Sequence, residues 1–217
     1  MTIFRSDFLL HLYTMYHHIS TNTSNTRHTK IAIFASGAGS NAKKIIEYLQ
    51  DKREMSVALI VCNKPAAGVI QIARANNIQV LIIEREQFFR GDGYMGELEK
   101  ASISFIVLAG FLWKIPEILI QNFRNRIINI HPALLPKYGG KGMYGANVHE
   151  AVIAAGEKES GITVHIVDGH YDNGDVIFQA TCPVLAGDTA ATLAERIHQL
   201  EHENFPKVVE EYVKTLS

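Results

Sequence analysis

Short apolar runs alternate regularly with longer amphipathic stretches from Lys30 onward. Runs of the strand type occupy residues 31–35, 57–62, 80–83, 105–109 and 127–130, and stretches of helical character follow the first four at 41–49, 66–76, 87–100 and 116–122. Strands that are apolar on both faces are typical of a parallel sheet covered by helices. The pattern therefore predicts a doubly wound, mostly parallel α/β sheet with helices on both faces.

The rhythm changes after residue 135. Residues 136–145 contain four glycines without an apolar period, which predicts a long loop, and a helix should follow at 149–155. Two β-like runs, 161–167 and 176–185, are joined by an Asp- and Gly-rich segment and predict an antiparallel C-terminal addition to the sheet. A last helix should begin after Asp188 or Thr189 and run towards Lys214, with a bend at Pro206. We expect residues 30–217 to form one domain.

Residues 1–29 differ from the rest of the chain. The apolar stretch 8–19 is interrupted by three histidines and is followed by a tract of Ser, Thr and Asn that cannot build a core. No small-residue cleavage site follows. An extension that is disordered or outside the core, or a misassigned start, is therefore favoured over a weak signal peptide.

Composition and charge limit the partners that the chain can have. The 217 residues are 47% hydrophobic with a formal net charge of −1, so no basic field indicates nucleic acid or an anionic membrane. No apolar run approaches the ~18 residues of a membrane helix. Cys62 and Cys182 form no CxxC motif, and their separation suggests reduced thiols in a cytoplasmic protein. The histidines are dispersed, and we expect no metal site.

The segment Asn129-Ile130-His131-Pro132 ends the fifth predicted strand and carries the most informative chemistry. Side chains alternate along a strand, so Asn129 and His131 should share a face, while Pro132 cannot continue the sheet. An amide can hold a developing oxyanion and an imidazole can move a proton near neutral pH, which suits acyl transfer. Asp172 lies in a turn-rich segment able to reach back to them. The alternative is a buried amide and imidazole satisfied by backbone groups.

The run Ser36-Gly37-Ala38-Gly39-Ser40-Asn41 follows the first strand and opens the first helix. Glycines there let backbone N–H groups approach an anion at a helix N-terminus. The run is not a full G-x-G-x-x-G motif, and no acid closes the second strand, so a terminal phosphate is favoured without excluding a dinucleotide. The alternative is a tight turn with helix-capping residues.

Two further positions have open interpretations. Phe111, Leu112 and Trp113, at the carboxyl end of the fourth strand, either wall a flat heteroaromatic ring or cover the core. Glu201, in the last helix, is by chemistry alone a solvated residue.

Seven blocks in order, 36–41, 108–111, 129–136, 161–167, 172–179, 188–189 and 196–202, resemble the phosphoribosylglycinamide formyltransferases, folate-dependent enzymes of purine synthesis. The resemblance covers residues 30–212. It implies 10-formyltetrahydrofolate as formyl donor, glycinamide ribonucleotide as acceptor, a formyltransferase domain at 30–217, and a monomer or homodimer.

The resemblance also implies roles for individual residues. Gly39, Ser40 and Asn41 would hold the acceptor's phosphate, and Glu201 its ribose hydroxyls. Asn129, His131 and Asp172 would be the catalytic set, with Asp172 raising the pKa of His131. The implied folate-binding residues are Arg90, Leu112, Trp113, Lys114, Ile115, Asp168, Gly169, His170 and Tyr171. The glycine-rich loop 139–145 departs from the commoner form of the family.

Three other functions are alternatives to this one. Methionyl-tRNA formyltransferase shares the core but has an additional C-terminal domain, and formyltetrahydrofolate deformylase has a regulatory domain ahead of it. We expect neither, given the 217-residue length. A non-catalytic protein that binds a nucleotide phosphate through the glycine turn would not need Asn129, His131 and Asp172 together.

Overall fold

The described part of the chain, residues 28–216 of this computed structural model, contains seven strands and seven helices. In chain order they are β1 (Thr29–Ala35), α1 (Ser40–Leu49), β2 (Met55–Cys62), α2 (Val69–Ala75), β3 (Gln79–Ile82), α3 (Arg85–Arg90), α4 (Met95–Lys100), β4 (Phe105–Leu108), α5 (Glu117–Asn122), β5 (Ile127–His131), α6 (Ala146–Ala154), β6 (Glu159–Ile166), β7 (Val176–Pro183) and α7 (Ala190–Thr215).

All seven strands belong to one sheet of order β3-β2-β1-β4-β5-β6-β7. The first five are parallel, whereas β6 pairs antiparallel with β5 and β7 antiparallel with β6. The predicted fold class is thus confirmed. Strand order reverses between β1 and β4, and the loops after these strands meet there, since the Ser36 N–H donates to the Gly110 carbonyl at 3.1 Å. Ligands of doubly wound sheets bind at such a switch point.

The apolar strands divide their side chains between two core layers. In β1, Ile31 and Ile33 pack in the layer with α1, α2 and α7, whereas Ala32 and Phe34 pack in the layer with α3, α4 and α5. All four are at most 1% exposed. Burying such a branched or aromatic side chain contributes about 1.5–3 kcal/mol, which explains why these strands carry no polar alternation.

Three element boundaries differ from the predictions. The helix expected over 87–100 is two helices, because Gly91 ends α3, where any Cβ would meet the Gln87 carbonyl oxygen at 2.6 Å. The second helix starts at Val69 rather than at residue 66. The helix expected over 149–155 instead covers Ala146–Ala154. The last helix runs through Pro206 to Thr215, as expected, and the bend at Pro206 stays a prediction.

The start of the domain is one residue earlier than expected. Thr29 is the first residue of β1, and the ring of His28 hydrogen-bonds to the Arg53 carbonyl and the Ser56 hydroxyl, both at 2.8 Å. The predicted N-terminal extension otherwise lies outside the described residues.

The helices α1 and α7 are joined by a cluster of charged side chains around Glu210. The Glu210 carboxylate accepts hydrogen bonds from Tyr48 Oη at 2.6 Å, from Lys52 Nζ at 2.8 Å and from Lys214 Nζ at 2.8 Å. These donors, Lys214 first and then Lys52 and Tyr48, lower the pKa of Glu210 to about 2 against the effect of burial. The charged form of this carboxylate therefore stabilises the fold.

Replacing Glu210 with glutamine should lower the free energy of unfolding at pH 7 by about 1–3 kcal/mol, because charge-assisted hydrogen bonds become neutral. A carboxylate with a lowered pKa contributes stability above its unfolded pKa and loses it as the pH falls. The difference between the two proteins in urea unfolding should therefore shrink between pH 4.5 and about pH 2. The neighbouring, exposed Glu211→Gln is the control and should change little.

Candidate active site

A cavity of about 600 Å³ opens at the switch point of the sheet. Its walls come from the turn after β1, the loop after β4, the end of β5, the glycine-rich loop 140–145 and α7. The polar side chains that line it are Ser40, Asn41, Asn129, His131, Lys141, Tyr144, His149, Tyr171, Asp172, His198 and Glu201. The glycine turn and the Asn129–His131 segment, far apart in sequence, thus face one cavity.

The glycine turn places the N-terminus of α1 at this cavity. Gly39 precedes the helix with φ of 82°, in the left-handed region that glycine favours. A Cβ there would meet the Val69 Cβ at 2.7 Å, so the close approach that requires glycine is to α2. Packing against α2 therefore already requires glycine at this position. The expected approach of an anion to Gly39 is a separate requirement and stays a prediction. Ser40 is exposed at the mouth of the turn.

Asn41 connects this turn to α7. Its Nδ2 donates to Glu201 Oε2 at 2.8 Å, and its Oδ1 is buried with no hydrogen-bond partner among the described residues. Glu201 is 5% exposed, so its interpretation as a solvated helix residue is wrong. Burial raises the pKa of Glu201, and the Asn41 amide opposes that shift.

Asn129, His131 and Asp172 lie together, as the sequence predicts. Asn129 Nδ2 is 3.4 Å from Asp172 Oδ1, and His131 Nδ1 is 3.6 Å from Asp172 Oδ2. The Gly140 N–H donates to Asp172 Oδ2 at 2.9 Å, which ties the glycine-rich loop to the carboxylate. Asp172 itself has φ of 52°, a conformation that Asp and Asn adopt more readily than most residues.

His165 is the main residue that the sequence analysis missed. The β5–β6 register sets it opposite Asn129, whose Nδ2 is 3.1 Å from His165 Nε2. Its Nδ1 lies 2.8 Å from the Ile166 carbonyl and must donate to it, so Nε2 is the acceptor for the Asn129 amide when the ring is neutral. The signal was present in β6, where Thr163 and His165 interrupt an apolar run at alternate positions.

The ring of His131 is held between two oxygens. Its Nε2 lies 2.7 Å from the Tyr138 carbonyl and therefore carries a proton, while Nδ1 faces Asp172. Burial lowers the pKa of His131, and the Asp172 charge and the Tyr138 carbonyl offset this only in part. The expected contribution of Asp172 has the predicted direction, but the net shift is downward.

The pKa of Asp172 also reflects opposed effects. Burial alone would raise it, but the approach of the His165 ring to 3.6 Å, the nearby His131 and the Gly140 N–H bring the pKa below its usual value. The carboxylate is therefore ionised at neutral pH and can stabilise a cation on either histidine.

The residues implied to bind folate fall into two groups. Leu112 and Tyr171 line the cavity and are 41% and 43% exposed. The others are not among the residues that line it: Trp113 packs on Phe88 and Phe89, and Ile115 is in the core. Arg90 is on the exposed side of α3 beside Glu86, and Lys114, Asp168, Gly169 and His170 lie in the loops after β4 and β6. Their roles stay a prediction.

Among residues 28–216, no three or more His, Cys, Asp or Glu side chains are grouped so that they could hold a metal ion. In the same part of the chain, no helix is long and apolar enough to cross a membrane. Cys62 and Cys182 are buried and free.

A doubly wound sheet with a helix N-terminus and an amide–imidazole–carboxylate cluster at one cavity defines the class of α/β group-transfer enzymes. A family model described as "Formyl transferase" matches residues 29–209. The chain is 41% identical to the chloroplastic phosphoribosylglycinamide formyltransferase of Arabidopsis thaliana, covering 88% of this chain and 68% of that protein. For the same enzyme of Vigna unguiculata, identity is 43%, over 85% of this chain and 61% of that protein.

A bacterial relative is covered almost completely. The phosphoribosylglycinamide formyltransferase of Bacillus subtilis (strain 168) is 37% identical, over 84% of this chain and 93% of that protein. The crystal structure of phosphoribosylglycinamide formyltransferase from Bacillus halodurans superposes with a TM-score of 0.79 at 31% identity, over 87% of this chain and 97% of that one. The chain therefore belongs to the formyl transferase family, among its phosphoribosylglycinamide formyltransferases.

Gly39→Ala should lower the free energy of unfolding by about 1–3 kcal/mol, because the new Cβ is both strained at positive φ and in collision with Val69. The control is Gly37→Ala, since nothing lies within 4 Å of the Cβ that it adds. Urea unfolding of both variants measures the difference. Equal stability of the two variants would contradict the packing requirement at Gly39.

Proposed function

We propose that the protein transfers the formyl group of 10-formyltetrahydrofolate to the amine of glycinamide ribonucleotide, in purine synthesis. The observation that carries the proposal is that the α1 N-terminus, Glu201 and the Asn129–His131–Asp172 cluster face the same cavity. The acceptor has matching parts, namely a phosphate, a ribose and an amine. The names of the relatives support the same substrates.

We place the acceptor's phosphate at the N-terminus of α1. Backbone N–H groups of the first turn and the Ser40 hydroxyl are donors for it, and the helix dipole favours its charge. Asn41 uses Nδ2 for Glu201, so its amide holds that carboxylate in position for the ribose hydroxyls. We assign phosphate binding to Gly39, Ser40 and Asn41 and ribose binding to Glu201.

The folate donor is placed at the other end of the cavity, against Leu112 and Tyr171. Both side chains are exposed and apolar enough to contact a flat ring. The same proposal includes contacts to the parts of folate outside the cavity, made by Arg90, Lys114, Asp168, Gly169 and His170. Trp113 and Ile115 support this wall from the core side.

Formyl transfer can proceed by direct attack. The acceptor amine forms a bond to the formyl carbon, whose oxygen becomes an oxyanion that an Asn129 N–H stabilises. Neutral His131 takes the proton that the amine loses, and Asp172 stabilises the imidazolium. The bond from the formyl carbon to the folate nitrogen then breaks, and the imidazolium returns its proton to that nitrogen. In this structure the Tyr138 carbonyl holds the proton on Nε2, so for Nε2 to act as the base that contact has to break and the proton has to move to Nδ1, which faces Asp172. An Asn129 N–H likewise has to leave His165 or Asp172 to reach the oxyanion.

We also propose a cytoplasmic protein that acts as a monomer or homodimer on these two small molecules. The two buried, free cysteines agree with a reducing compartment.

The direct test is incubation of the protein with glycinamide ribonucleotide and 10-formyltetrahydrofolate, with mass spectrometry of the products. We expect formylglycinamide ribonucleotide and tetrahydrofolate in equal amounts. Formation of formate in place of the formylated acceptor would instead indicate a hydrolase, and absence of both products would refute the proposal.

Asp172→Asn should lower kcat by about 10²–10⁴-fold, the usual contribution of acid–base groups. The fold should survive, because Asn also adopts the positive φ of this position. Loss of the negative charge lowers the pKa of His131 further, so the acid limb of the pH–rate profile should move to lower pH. Asp175→Asn, an exposed change on the same loop, is the matched control. A normal rate and profile for Asp172→Asn would exclude the pairing with His131.

A further inference from the structure

A second histidine, His149, lies at the cavity and has no role in the reaction described above. It belongs to the first turns of α6, directly after the glycine-rich loop, and lines the cavity while being only 3% exposed. Its Nδ1 has no hydrogen-bond partner among the described residues. A buried polar atom is rarely left unpaired, and His149 shares this feature in the site with Asn41.

The ring of His149 is neutral at physiological pH. Burial first, and then the nearby His198 and His131, lower its pKa to about 4. One ring nitrogen therefore carries a proton and the other a lone pair. An unpaired buried N–H is less tolerable than an unfilled lone pair, so Nδ1 keeps the lone pair and Nε2 the proton.

The position of His149 identifies the part of the acceptor that it can reach. It lines the same cavity as His131, at the proposed position of the amine, and as His198 and Glu201 of α7, at the proposed position of the ribose. Its pKa responds to both histidines, which agrees with this placement. His198 in turn acts on Glu201, the proposed ribose ligand. The ribose and the amide of the acceptor lie between its phosphate and its amine. Both carry oxygens that accept hydrogen bonds.

We infer that His149 donates a hydrogen bond from Nε2 to an oxygen in the ribose–amide segment of the acceptor and thereby contributes to binding of the acceptor. The inference rests on the proposed function. The neutral His149 ring would be a hydrogen-bond donor to an oxygen of the substrate, and it would neither attract nor repel the substrate's phosphate.

The test compares two substitutions of similar shape, His149→Gln and His149→Met. Glutamine retains a donor at about the reach of Nε2, whereas methionine has none. For His149→Met we expect KM and calorimetric Kd for glycinamide ribonucleotide to rise about three- to tenfold, with kcat and the donor KM changed less than about twofold. His149→Gln should stay within about twofold of the unmodified protein for all four quantities.

The matched control is His202→Met. His202 also has an unpartnered nitrogen, Nε2, but does not line the cavity, so its loss should leave acceptor binding within about twofold. If His149→Met fails to fold, His149→Phe takes its place in the test, because phenylalanine keeps a ring of similar volume without the nitrogens. Nitrogen-15 NMR of histidine-labelled protein, assigned with His149→Gln, should report the Nε2–H tautomer.

The outcomes separate the inference from the proposed function. Unaltered acceptor binding in His149→Met, an equal loss in His202→Met, equal losses in the Gln and Met variants, or an Nδ1–H tautomer would each overturn the role of His149 and leave formyl transfer standing. Unmodified protein that neither binds glycinamide ribonucleotide nor formylates it would overturn the proposed function and the inference together.

Discussion

The Asp172 carboxylate, whose side chain is 11% exposed, is the constraint on which the arrangement of the site depends. An ionised carboxylate largely removed from water requires hydrogen bonds or opposite charges. Asp172 obtains hydrogen bonds from the Gly140 N–H of the glycine-rich loop and, at 3.4 Å, from the Asn129 amide on β5. Loss of either donor would leave this charge less compensated, so the carboxylate couples the loop to the sheet.

Burial and charge act in opposite directions on His131, and their balance decides its role. A fully protonated imidazole would already hold its proton and could not accept one from the amine. Burial lowers the pKa, while Asp172 stabilises the cation once it forms. In the proposed reaction, a neutral imidazole with a carboxylate beside it is suited to gain a proton during attack and to return it to the leaving nitrogen.

The sequence could predict the elements whose signals are local. The doubly wound, mostly parallel sheet and its antiparallel addition were predictable because apolar runs and glycine turns follow rules of connection, and the shared face of Asn129 and His131 followed from strand alternation. The alternation of Thr163 and His165 in β6 is a local signal of a polar position, but only the β5–β6 register shows that His165 meets Asn129. The burial of Glu201 and the net pKa of His131 depend on three-dimensional packing, on which a sequence window carries no information.

The position of Glu201 at the cavity also depends on residues that lie outside the cavity. Asn41 and Tyr48 lie two turns apart on α1, and their partners Glu201 and Glu210 both belong to α7. Apolar packing alone, which tolerates sliding of one helix along another, would fix the separation of the two helices better than their register. Two polar contacts along one interface fix that register. The Glu210 cluster, which does not line the cavity, therefore helps to set the position of the Glu201 carboxylate at the cavity.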